Sequence, residues 1–190
     1  YPVGEKWRIT LTTAADEKFL ICNADESDPG AFMDRTLMEG IPHRILEGIA
    51  LGSYAIGART AYIYIKNEYH LAIERLEKAI KEAYSAGLLG NNIYQSGYSL
   101  QIKIVKGAGA FVCGEETALI SSIEGKRGMP RHKPPYPSQS GLFGKPTVVN
   151  NAETLAGVPA IFENGPNWFA KIGTEKSKGT KIFTVSGKVR

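Results

Sequence analysis

Thr60-Ala-Tyr-Ile-Tyr-Ile65, the stretch from His70 to Ala86, and Leu100-Gln-Ile-Lys-Ile-Val105 decide the fold. The first and third are short runs rich in β-branched and aromatic residues, which favour strands. Between them Ala72, Leu76, Ala79, Ile80 and Ala83 recur on one face at helical spacing, and Gly87 follows as a stop. Glu74 leads Lys78 and Glu77 leads Lys81 by four residues, which supports the exposed side of such a helix. Strand, crossover helix and strand make the βαβ unit of a parallel sheet.

Upstream, Phe19-Leu-Ile-Cys22 reads as a strand buried on both faces that runs into the turn-rich Asn23-Ala-Asp-Glu-Ser-Asp-Pro-Gly30. Pro42 suits a first helical position, and Ile45, Leu46, Ile49 and Ala50 keep helical spacing until Gly57. The opening Tyr1-Pro-Val-Gly-Glu-Lys-Trp7 is turn-like. Downstream, after the glycine turn Gly107-Ala-Gly-Ala110, Glu115 to Ile123 reads as a third helix. Helical periodicity vanishes from Gly125 to Val149, where Pro130, Pro134, Pro135, Pro137 and Pro146 impose a long ordered loop of extended segments. Asn150-Asn151 then opens another helix, an Asn serving as N-cap with Glu153 in the first turn. The polar stretch Lys171 to Lys181 reads as a linker, and Ile182-Phe-Thr-Val185 as a strand beginning a second domain. The order predicts an α/β domain, a parallel sheet flanked by helices. Because Tyr1 is not an initiator Met, a piece of a longer protein is expected.

The net charge of +4 does not specify a nucleic-acid surface, because the basic residues are scattered rather than gathered on one face with interleaved aromatics. The densest group, Lys126, Arg127, Arg131 and Lys133, suits one phosphate-bearing small molecule as well as a polymer. Cys22 and Cys113 lie far apart in apolar stretches, the pattern of core thiols in a reducing cytoplasm. No apolar run approaches the roughly 20 residues a membrane span needs, so direct membrane insertion is not expected. His43, His70 and His132 lack ligand spacing, and no metal site is expected. Neither Ser27, Ser121 and Ser122 nor the cysteines have the surroundings of a nucleophile.

Asn23, Asp25, Glu26 and Asp28 stand just beyond a strand's C-terminal end, where open α/β sheets bind ligands. Carboxylates there accept hydrogen bonds from sugar or ribityl hydroxyls, and an Asn can serve a flavin ring edge. The same residues also make a solvated turn with an N-cap for a following helix. The turn Gly107-Ala-Gly-Ala-Phe-Val-Cys-Gly-Glu-Glu-Thr117 misses the Gly-x-Gly-x-x-Gly spacing, because Gly114 arrives two positions late. Glu115 and Glu116 suit the helix dipole and repel a phosphate, so this turn faces hydroxyls, a carboxamide or a ring, or is simply a capped surface helix. The available phosphate donors are Lys6, Lys133 and the Asn150-Asn151 helix start with Thr154. Tyr1, Phe111 and Tyr136 are candidates to stack on adenine or flavin, or to fill the core.

Five blocks in order carry a resemblance: Tyr1-Pro-Val-Gly-Glu-Lys-Trp, Cys22-Asn-Ala-Asp-Glu-Ser-Asp-Pro-Gly-Ala-Phe-Met-Asp-Arg, Gly107-Ala-Gly-Ala-Phe-Val-Cys-Gly-Glu-Glu-Thr-Ala-Leu, Pro130-Arg-His-Lys-Pro-Pro-Tyr-Pro and Gly144-Lys-Pro-Thr-Val-Val-Asn-Asn-Ala-Glu-Thr-Leu. They resemble the NADH- and FMN-binding flavoprotein subunit of respiratory complex I and the related diaphorase subunits of NAD-linked hydrogenases and formate dehydrogenases. The resemblance implies a modified Rossmann-like fold over residues 1–175, with residues 176–190 as a linker and the start of a ubiquitin-like β-grasp domain. It implies an NADH dehydrogenase in which a hydride passes from NADH to FMN and electrons go on to iron–sulfur clusters. By position, Lys6, Asn23, Asp25, Gly114, Asn150, Asn151 and Thr154 would hold FMN. Glu26, Asp28, Glu115, Glu116 and Lys133 would surround NADH, with Tyr1 and Tyr136 framing its adenine. No side chain is required as acid or base. The implied partners are iron–sulfur subunits, a thioredoxin-like one of the 24 kDa type and a cluster-bearing one, in a cytoplasmic assembly peripheral to the inner membrane face.

Three departures from the family pattern stand out. The Gly-rich run that precedes the Tyr1 position is absent, which predicts weakened flavin binding by this chain alone. Asp28 replaces the Glu of many relatives and shortens the reach toward nicotinamide. The Cys-x-x-Cys-x-x-Cys motif is absent, so a 4Fe-4S cluster is expected only in the full-length parent. The acids around the nucleotide are expected to disfavour the extra phosphate of NADPH. The rival reading is a cofactor-free docking scaffold; a basic nucleic-acid module is a third.

Overall fold

A computed structural model describes residues 2–189; Tyr1, expected beside the adenine, lies outside them. Four strands, β1 (Phe19–Ala24), β2 (Thr60–Lys66), β3 (Gln101–Gly107) and β4 (Thr147–Asn151), form one sheet in the order β3-β2-β1-β4. Every pair is parallel, with Phe19 opposite both Thr60 and Thr147. Among the described residues seven α-helices accompany it: α1 (Val3–Thr12), α2 (Met33–Gly40), α3 (Pro42–Ile56), α4 (His70–Ser85), α5 (Glu116–Ile123), α6 (Ala152–Asn164) and α7 (Pro166–Ala170).

Both faces of the sheet are covered, and the two-residue period of a strand distributes its side chains between them. Leu20, Cys22 and Ala24, with Ala61, Ile63 and Ile65, face α2, α3, α4 and α6. Phe19, Ile21 and Tyr64 face the smaller core built with Leu119 and Ile120 of α5. This explains the unbroken apolar run of β1, whose Phe19 to Cys22 are all buried. Full burial of each such side chain contributes roughly 1.5–3 kcal/mol. Both cysteines are buried and unpaired.

The expected strands β1 to β3 and helices α3 to α5 are present, and Asn151 caps α6 by accepting from the Glu153 amide at 2.9 Å. Several expectations need correction. The opening segment is helical: Pro2 precedes the first turn, where a missing N–H is harmless. Lys6 and Trp7 of that helix anchor to β4 through Lys6 Nζ to Val149 O (2.7 Å) and Trp7 Nε1 to Asn150 Oδ1 (2.8 Å). The proline-rich segment ends in β4 rather than remaining loop, so Asn150 is a strand residue, not part of the helix start. Helix α2 occupies a stretch for which the sequence pattern gives no helix. On α4, Glu77 pairs with Lys106 and Lys78 with Glu82 instead of the expected partners. Finally, residues 182–185 carry no strand. They lie against the domain, with Ile182 N donating to Glu153 Oε1 at 2.8 Å and Phe32 N to Thr184 Oγ1 at 3.3 Å.

Candidate functional site

From β1 the chain steps to β2 and β3 on one side, then returns to place β4 on the other. The sequence of strands therefore reverses between β1 and β4. A crevice opens at the carboxyl ends of strands at such a switch point, which is where open α/β sheets bind ligands. Asn23 and Asn151 are paired in register there.

One cavity lies at this edge and a second adjoins it beside β4. One, of about 600 Å³, is lined by Asn23, Asp25, Glu26, Ser27, Asp28, Ala31, Met33, Asp34, Phe111, Val112, Gly114, Glu115 and Asn151. The other, of about 510 Å³, includes Lys6, Glu116, Lys133, Tyr136 and Val149 in its walls. Lys133 Nζ donates to Glu115 Oε1 (3.0 Å) and Glu116 Oε1 (2.6 Å), linking the wall of one cavity to that of the other. Of the expected site residues, only Asn150 and Thr154, besides the undescribed Tyr1, line neither cavity. Asn150 is buried behind the site, accepting from Trp7. Thr154 sits half-buried on the first turn of α6.

The helix N-termini at the acidic cavity are capped by the protein itself. Glu115 Oε2 accepts from Thr117 N (2.8 Å) and Ala118 N (3.0 Å) at the start of α5. Glu26, buried, accepts from Met33 N (2.9 Å), Asp34 N (3.2 Å) and Arg35 N (3.1 Å) at the start of α2. These helix ends, otherwise ready anion sites, are neutralised by carboxylates. The capped-helix reading thus describes Glu115, the N-cap of α5; Glu26 serves α2 from outside that helix, whose N-cap position is Phe32. Five carboxylates and no lysine or arginine line this cavity, so it suits hydroxyls and ring N–H groups. The other cavity holds the cations Lys6 and Lys133.

The electrostatics follow from burial and partners. Burial pushes the Lys6 ammonium pKa down, with Glu116 opposing and Lys133 assisting. Burial acts the same way on Lys133, but its bonds to Glu116 and Glu115 outweigh it and the pKa rises. Burial raises the Asp25 carboxyl despite a bond from Ser27 Oγ at 2.8 Å. Burial raises Asp34 further, from 3.8 to about 6, with Asn151 opposing and Glu26 adding to the rise. Asp34 belongs to the Phe-Met-Asp-Arg block, yet nothing local marks it as a site residue. Its place depends on α2 folding over the strand ends.

A pH dependence follows. The Asp34 pKa is higher in the fold than its ordinary value, so between pH 3.8 and about 6 the native state binds more protons than the unfolded chain. The contribution of this group to stability is fully present at low pH and is lost as pH rises through that window. At pH 7 it amounts to a penalty of at most about 3 kcal/mol. Asp34→Asn is therefore expected to melt at a higher temperature than the parent at pH 7, the gap closing toward pH 4. Equal melting temperatures across that range would contradict the assignment.

The residues fit a flavin. Both cavity volumes are of the size that takes a cofactor. Asp25 Oδ2 and Asp34 Oδ1 are buried without a partner, acceptors of the kind a ribityl hydroxyl or ring N–H would satisfy. A Cβ at Gly114 would meet nothing nearer than Asp25 O at 3.8 Å, so glycine leaves open space at this wall.

Fold and site define a doubly covered parallel α/β domain with its ligand crevice at a topological switch point. Residues 1–160 match the Nuo51 FMN-binding domain, and the chain belongs to that family. It is 57% identical over its whole length to the HndC subunit of the NADP-reducing hydrogenase of Solidesulfovibrio fructosivorans, of which it covers 39%. It is 54% identical over its whole length to an NADH-quinone oxidoreductase subunit of Aquifex aeolicus, covering 44% of that protein. It superimposes on a chain of an NAD+-reducing NiFe hydrogenase, air-oxidised, with TM-score 0.90 and 46% identity, covering all of this chain and 32% of that one. The chain thus spans less than half the length of these relatives.

Proposed function

We propose that this chain is the FMN- and NADH-binding core of an NADH-oxidising subunit, passing electrons to iron–sulfur partners. The observation that carries this reading is the switch-point crevice of a family member, where an acidic cavity with two unpartnered carboxylate oxygens adjoins one holding Lys6 and Lys133. FMN, when bound, would supply a two-electron acceptor for the nicotinamide hydride and a one-electron donor toward clusters. This chain's residues bind and orient. Asn23, Asp25, Gly114 and Asn151 would hold the flavin and its ribityl chain, Lys6 its phosphate, with Asn150 and Thr154 in support. Glu115, Glu116, Lys133, Tyr136, Asp28 and the more distant Glu26 would frame the nucleotide. Stacking and alignment of two rings supply the rate by proximity, with no side-chain acid or base.

Residues 176–190 we assign as the linker into a following β-grasp domain. Thioredoxin-like and cluster-bearing subunits are the proposed partners, in the cytoplasm. Among the described residues no helix is long and apolar enough to cross a membrane.

The test is a flavin titration, followed by anaerobic addition of NADH and separately NADPH, in a protein spanning the length of the relatives. Flavin should bind and bleach with NADH. The acidic lining predicts slower bleaching with NADPH, and the NADP-reducing relative makes that comparison discriminating. Failure to bind flavin would sink the enzyme reading in favour of a docking scaffold.

A further inference from the structure

Asp34 has no part in the flavin and nucleotide contacts proposed so far, yet it occupies the wall of the acidic cavity and is 3% exposed. One carboxylate oxygen, Oδ2, accepts from Asn151 Nδ2 at 2.7 Å. Asn151 Oδ1 is in turn held by the Glu153 amide at 2.9 Å, so the two bonds fix which end of the Asn151 amide is donor and which is acceptor. The other oxygen of Asp34, Oδ1, is buried and makes no hydrogen bond, the Glu153 amide that bonds Asn151 lying close enough only to lower the carboxyl's pKa. A carboxylate kept only for structure would have both oxygens satisfied, because an unpaired buried acceptor costs about 1–3 kcal/mol.

We infer that Asp34 is a positioning residue of this site, holding the Asn151 amide with one oxygen while the other waits for a hydrogen-bond donor on the bound flavin. The inference rests on the flavin reading of the crevice. It commits the ligand's contact here to a hydroxyl or ring N–H, not a phosphate. The charged groups facing Asp34 are Glu26 from the loop after β1 and Glu153 from α6, the latter neutralised by Lys181; the Cys22 thiol lies on β1. Among the described residues no cation pairs with Asp34, so a proton and a ligand donor compete for Oδ1. Ligand affinity should therefore fall on acidification.

Two arms test this. The first needs no flavin. In the isotope-labelled chain the side-chain amide resonances of Asn151 should titrate with pH in the parent and stay flat in Asp34→Asn. A flat parent, or an unchanged titration in the variant, overturns the inference. Should Asp34→Asn fail to fold, Asn151→Ala serves instead: loss of the donor should move the Asp34 carboxyl titration upward, and an unmoved titration overturns the inference.

The second arm measures FMN affinity by fluorescence quenching in a protein spanning the relatives' length. The parent should bind about tenfold more weakly at pH 5 than at pH 7, and Asp34→Asn should lose that dependence. The same dependence in both proteins counts against the inference. If the parent binds no FMN at all, the functional reading fails, and the first arm still decides whether Asp34 positions Asn151.

Discussion

Gly48→Ala is expected to abolish cooperative folding or to destabilise the chain by more than about 3 kcal/mol. Gly48 lies inside α3, where alanine is intrinsically better by roughly 1 kcal/mol. Propensity alone therefore predicts a gain. Packing predicts the opposite, because a Cβ there would fall 1.9 Å from the carbonyl oxygen of Leu155 and 2.6 Å from its carbon. Those are backbone atoms of α6 and cannot rotate away. Relief requires moving α6 off α3, which drags Asn151 at its N-terminus out of the crevice. Gly157→Ala is the control: it is also helical, in α6, but a Cβ there meets nothing within 4 Å. It should stabilise by about 0.5–1 kcal/mol. Urea unfolding followed by circular dichroism separates the two, and a Gly48→Ala midpoint at or above the parent's would refute the close approach of α3 and α6.

Glu26→Ala is expected to cost about 2–3 kcal/mol, through α2. Hydrogen bonds to a charged acceptor contribute roughly 1.5–3 kcal/mol each when well formed, and Glu26 accepts three backbone N–H groups at the first turn of that helix. Water from the adjoining cavity would recover part of the loss, which brings the sum down to that range. The amides of Met33, Asp34 and Arg35 should exchange with solvent much faster in the variant, while β2 and β3 keep their protection. Were Glu26 only a nucleotide contact, stability and exchange would not change. Because α2 carries Asp34, the cap reaches the cavity at second hand: Glu26 places the helix, the helix places Asp34, and Asp34 holds Asn151.

Much of the crevice lining was legible in the sequence because it lies where short-range patterns end. Asn23 closes an apolar strand that Asp25 and Asp28 follow, and Asn151 precedes a helical run, so strand-end and N-cap chemistry marked them. The carboxylates of Glu26 and Glu115 were visible too, but not their use. Local reasoning offered both a ligand rim and a cap, and only the folded chain shows the backbone amides filling those oxygens. Asp34 carried no local signal, because its burial is made by α2 crossing the strand ends.

The strand and helix periods of β1, β2, β3, α3, α4 and α5 were determined by the sequence alone, since each period depends on residues within a turn or two of one another; α2, between β1 and α3, was not. Tertiary structure decided what distant residues do to each other. β4, short and preceded by prolines, becomes a strand because β1 offers it a partner. α1 becomes a helix anchored by bonds spanning 143 residues. The switch point between β1 and β4, and with it the crevice, comes from the order in which strands pair. That order is set by which apolar faces can be buried together, a property of the whole chain that no local window contains.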